Sequence, residues 1–117
     1  MRRGLLALVL VLVATAAAHA AVGDTVIFKD TDFDTSDTLD LAASAGTENI
    51  CQTVDHSDTI KLCTYDGTNE TCGETLTDPQ VGRPVFLRNT ETERYRIKPG
   101  TGAANNALIW VRCVRVK

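Results

Sequence analysis

The chain has 117 residues, a formal net charge of −3, four cysteines and six aromatic side chains. That length leaves room for one modest domain and excludes a multidomain enzyme. Net negative charge with so few aromatics also speaks against a nucleic-acid partner.

Residues 1–20 have the three-part pattern of a secretory signal. Arg2 and Arg3 start it, the apolar run Leu5 to Ala18 follows, and Ala18-His19-Ala20 offers small residues for a peptidase. The run is shorter than a membrane span requires. The expected product is a secreted domain, residues 21–117, outside the cytoplasm and with no membrane span after processing.

In that segment the Thr-rich, Val- and Ile-containing runs are punctuated by Gly, Asp and Asn about every ten residues, the rhythm of an antiparallel sandwich or barrel. Strands are predicted near Thr25–Lys29, Asn49–Val54, Thr59–Tyr65, Asn69–Thr75, Pro84–Asn89, Glu93–Lys98 and Ala107–Val116. The fold class is therefore all-β with about seven strands. The segment nearest a helical pattern is Thr38 to Ala45, at most two turns ending at Gly46. In the last strand, apolar residues on both faces between Leu108 and Val111 suggest a central strand covered on both sides.

Between the first two strands lies the acidic segment Asp30 to Asp40. Asp30, Asp32 and Asp34 occupy the 1, 3 and 5 positions of a calcium loop. Thr35 stands where such a loop needs Gly, and Leu41 where it needs Glu, so an EF-hand is excluded. A looser calcium site stays a candidate beside an ordinary acidic loop with Asx turns.

The cysteines follow as Cys-x11-Cys-x8-Cys-x40-Cys, with no zinc knuckle. An even number in an exported chain reads as two disulfides. Placing Gly67-Thr68 at the centre of a hairpin turn sets Cys63 opposite Cys72 in a non-hydrogen-bonded pair, which a disulfide can bridge. Cys51 then pairs with Cys113. A competing hairpin around His56-Ser57-Asp58 would instead set Cys51 opposite Cys63. Beside the Gly67 turn, Asn69-Glu70-Thr71 fits the N-glycosylation pattern.

Charge is divided along the chain. From Ala21 to Asp78 there are thirteen acidic and two basic residues; from Pro79 to Lys117 there are eight basic and two acidic. Acidic strands facing basic strands within one sheet would account for this. So would an anion-binding face, with Arg94, Arg96 and Lys98 in a row along one strand, suited to an anionic polysaccharide.

Catalytic material is sparse. His56 is the one histidine after residue 20, and it lies in a predicted turn as polar loop filler. No free thiol is expected. The reading is a non-catalytic contact domain: a surface, matrix or filament component, or a binding module. Thr25-Val26-Ile27-Phe28 could complete a neighbour's sheet. The alternative is a disulfide-braced inhibitor of a hydrolase, presenting the loop Asp66 to Asn69. No cofactor is implied.

Overall fold

The computed structural model describes residues 21–117, so the signal-peptide reading lies outside the described residues. The described chain forms eight strands and no helix: β1 (Thr25–Phe33), β2 (Leu39–Asp40), β3 (Asn49–His56), β4 (Ile60–Tyr65), β5 (Glu70–Leu76), β6 (Gln80–Asn89), β7 (Arg94–Pro99) and β8 (Ala107–Arg115). They make two antiparallel four-stranded sheets, ordered β1-β8-β3-β6 and β2-β7-β4-β5.

The core lies between the sheets. Phe33, Leu41, Val54, Ile60, Ile97, Ile109 and Val111 fill it, with Cys51 and Cys113 equally buried. In β8 the alternation is clean: Ala107, Ile109, Val111 and Cys113 point inward. The strand is central in its sheet, but only one face is covered. Leu108 is 43% exposed, and Trp110 is screened by Lys29, whose ammonium lies 5.3 Å from the ring centre.

The segment Thr38 to Ala45 is extended instead of helical. Leu39, Leu41 and Ala43 alternate with period two, and all three reach the core or its margin. After β2 the chain stays tied to the β7 region through Leu41 N–H to the Tyr95 carbonyl and Ala43 N–H to the Thr90 carbonyl. Burial of alternate residues outweighs a weak local helical tendency.

Both disulfides have the expected pairing. Cys63–Cys72 joins β4 to β5, and Cys51–Cys113 joins β3 to β8. At the β4–β5 turn Asp66 N–H bonds to the Asn69 carbonyl, so Cys63 and Cys72 fall in a non-hydrogen-bonded pair. Gly67 has φ +98°, as the first central residue of a type II′ turn requires. Asp66 braces the turn by accepting the Thr68 and Asn69 amides at 2.8 and 2.6 Å. The rival hairpin does not form. Ser57 to Thr59 carries the chain from one sheet to the other, so Cys51 and Cys63 lie in different sheets.

One polar residue ties the two sheets together. Asn89, at the end of β6, is fully buried. Its Nδ2 donates to Asn49 Oδ1 at 2.8 Å and to the Leu87 carbonyl at 3.2 Å. Its Oδ1 accepts the Tyr95 backbone amide at 2.8 Å. A side chain of the first sheet thus supplies a backbone partner to the second.

Candidate functional site

Arg94, Arg96 and Lys98 share the outer face of β7, because strand side chains alternate. Neighbouring strands bring acids to meet them. Asp40 of β2 receives Arg94 Nε at 2.6 Å, Arg94 Nη2 at 2.9 Å and Arg96 Nε at 3.0 Å. Glu70 of β5 receives Lys98 Nζ at 2.5 Å, and its other oxygen lies 3.7 Å from Arg96 Nη1. That last separation is an ion pair without a hydrogen bond. The Tyr65 ring completes the face, with the Arg96 guanidinium 3.7 Å and the Arg94 guanidinium 4.7 Å from its centre.

This ladder accounts for part of the charge division along the sequence. Acids from the first half flank cations from the second half across one sheet face. Burial raises the Asp40 carboxyl, but hydrogen bonds from Arg94 and the Ala42 amide, with the charges of Arg94 and Arg96, outweigh it. The net direction is downward from the ordinary carboxylate value. Each cation of the row therefore has an acidic partner already.

The acidic segment is only partly a loop: Asp30 to Phe33 form the bulged end of β1, a turn follows, and Leu39 and Asp40 form β2. Asp30 Oδ1 accepts the Asp32 amide at 2.9 Å, Asp37 Oδ2 accepts the Asp34 amide at 2.8 Å, and Asp34 Oδ1 accepts the Asn106 amide at 3.1 Å. The Asp34 charge, with smaller contributions from burial, Asp30 and Asp37, raises the Asp32 carboxyl. Among the described residues no group of three such side chains is placed to hold a metal ion. Asn69 lies exposed beside the β4–β5 turn.

His56 departs from the sequence reading. It is 3% exposed, at the end of β3, and not loop filler. Its Nδ1 lies 2.8 Å from the Asp58 carbonyl, and its Nε2 accepts from Arg83 Nε at 2.9 Å. That places the ring proton on Nδ1 and commits both nitrogens to holding the crossover between the sheets. Simple alternation along the chain does not foretell this burial, because a bulge at Gln52 reverses the faces of β3.

The sheet edges remain. β6 and β5 end their sheets on one side, and both are interrupted: β6 by Pro84 and by Gly82 at φ +69°, β5 by the irregularity opposite Leu62 and Cys63. Such features discourage strand addition. β1 ends the first sheet on the other side, and from Thr25 to Asp30 it pairs with β8 in unbroken register. Arg115 N–H bonds to the Asp24 carbonyl. Alternation from that pair turns the backbone N–H and C=O groups of Thr25, Ile27 and Lys29 toward the open edge. β2, the facing edge strand of the second sheet, is only two residues long.

Comparison with protein-family models, with curated proteins and with solved structures finds no match for this chain.

Proposed function

We propose that the chain is an exported, non-catalytic contact domain, a surface, matrix or filament component, and that β1 is its assembly element. The observation that carries this reading is the uninterrupted open edge of β1, with Ile27 37% exposed in its middle. The preferred partner is β1 of a second copy, joined antiparallel about a two-fold axis. An antiparallel register centred on Ile27 sets Thr25 of each copy opposite Lys29 of the other, so that the outward backbone groups of Thr25, Ile27 and Lys29 all find partners. Two disulfides in so small a domain accord with an oxidising location.

Ile27→Pro tests it. The substitution removes an N–H that faces the open edge and leaves the β8 ladder its hydrogen bonds. Light scattering and native mass measurement of the oxidised domain should show dimers or larger assemblies that the variant lacks, with its melting temperature little changed. A parent domain that stays monomeric at high concentration overturns the reading.

A further inference from the structure

Three of the six aromatic rings of the chain line one cleft. It has a volume of about 430 Å³ and lies where the β4–β5 turn approaches the turn between β6 and β7. Phe86, Tyr65 and Tyr95 border it, with Asn69 and Glu93 among its polar residues. Phe86 is 71% exposed, although it stands on a strand where Val85 and Leu87 turn inward. A second depression of about 310 Å³ shares Phe86 and Tyr95 and continues past Leu62, Glu74 and Val85, between β5 and β6. The two together form an elongated groove with an aromatic middle, of the size ligand sites occupy.

The charges around the groove say what it suits. Arg88 is paired with Glu48. Arg94 is held by Asp40 and by the Glu91 carbonyl at 2.7 Å. Both cations are thus committed within the fold, and an anionic ligand would have to displace a carboxylate from them. Among the described residues Glu93 makes no ion pair and neither tyrosine hydroxyl makes a hydrogen bond. What the groove offers is an open ring face, hydroxyls and a free carboxylate. A neutral sugar matches that set: its C–H faces lie against the negative face of an aromatic ring, and its hydroxyls both donate and accept.

We infer that the groove between β5 and β6 binds a neutral oligosaccharide, with Phe86 as the stacking platform and Glu93 and the two tyrosine hydroxyls as hydrogen-bonding partners. The site lies on the opposite side of the sandwich from β1, so it stands whether or not β1 mediates assembly.

The test titrates the oxidised domain with soluble hexasaccharides of cellulose, laminarin, xylan, mannan and chitin, and with dextran sulfate as the anionic comparator. Calorimetry reads affinity and amide chemical shifts read location. At least one neutral hexasaccharide should bind, with shifts centred on Phe86, Tyr95 and Glu93. Phe86→Ala should weaken it at least about tenfold, Phe86→Trp should retain it, and Ile27→Pro should leave it unchanged. Because Phe86 is exposed, these variants should melt as the parent does, which separates lost binding from lost folding. Failure of every neutral hexasaccharide at millimolar concentration, binding that survives Phe86→Ala, or tighter binding of dextran sulfate overturns the inference.

Discussion

Replacing Asn89 by leucine should be among the most damaging single changes in this domain, although it substitutes an apolar residue of similar size. The side chain is fully buried and holds three close hydrogen bonds, at 2.8, 2.8 and 3.2 Å. A typical neutral bond contributes about 1 kcal/mol net, but the larger effect is on the partners left behind. An isobutyl group in place of the amide would strand the Tyr95 N–H and remove the donor facing Asn49 Oδ1. Two buried polar groups without partners cost about 1 to 3 kcal/mol each. The better burial of an apolar side chain offsets part of that, which leaves a destabilisation of about 2 to 4 kcal/mol. Against a total stability of about 5 to 15 kcal/mol, that is a large fraction. The melting temperature should fall by roughly 10 to 25 °C. Urea unfolding with both disulfides intact is the assay, and the slope with denaturant should be unchanged. Asn49→Ala in the Asn89→Leu background should cost less than it does alone, by about 1 kcal/mol, because the shared bond is already gone. A loss below about 1 kcal/mol for Asn89→Leu, or strict additivity with Asn49→Ala, would falsify the claim that this network ties the sheets.

Other perturbations draw on the same geometry. Replacing Cys51 and Cys113 by Ala should destabilise more than replacing Cys63 and Cys72, since the bridges span 62 and 9 residues. The chain-entropy difference is about 1.5 kcal/mol, readable by urea unfolding, and equal losses would refute it. The lowered Asp40 carboxyl contributes stability that is present above the unfolded value near pH 3.9 and is lost as pH falls through the lower folded value. Asp40→Asn should therefore cost about 1 kcal/mol at pH 7, after discounting for solvent screening, and flatten the acid limb of a stability–pH curve. Raised salt should reproduce part of that loss. A Cβ at Gly100 would overlap Thr59 Cγ2, so Gly100→Ala should cost about 1 to 3 kcal/mol, and Thr59→Ser should recover part of it in thermal melts. Gly67→Val should weaken the β4–β5 turn through its positive φ, with Asn tolerated there better than Val, as a comparison of the two melting temperatures would show.

Much of this fold is written in local pattern. The predicted strands all form, within a few residues of their expected ends; most carry alternating apolar residues bounded by turn formers, while β5, which does not, is set by its tight turn and disulfide to β4. Gly67 and the two neighbouring cysteines are enough to define one hairpin register, since only one choice brings the sulfurs together. What escapes a reading of the chain depends on neighbours. β2 is two residues long and forms because Leu39 and Leu41 find the core, which no window of sequence reveals. The bulge at Gln52 puts Cys51 and Val54 on one face, against strict alternation, and brings His56 inside. Arg94, Arg96 and Lys98 are visible as a row. Their neutralisation is not, because Asp40 and Glu70 lie 54 and 28 residues away from their closest partners. The groove around Phe86 gathers rings from three strands and has no signature along the chain.

The bridge between Cys51 and Cys113 also determines how the domain responds to pulling. β1 starts beside the end of β8, with Thr25 opposite Val114. A force drawing those two points apart loads the β1–β8 ladder one pair at a time, like a zipper, the geometry that resists least. Peeling then meets the covalent link to β3. Everything from Cys51 to Cys113 is closed into a loop that tension cannot lengthen. Only the stretch from Thr25 to Cys51 can be drawn out, at most about 90 Å of extended chain. Pulled by its two ends, the domain would yield early under load by a fixed length and then stiffen, with most of the sandwich still folded.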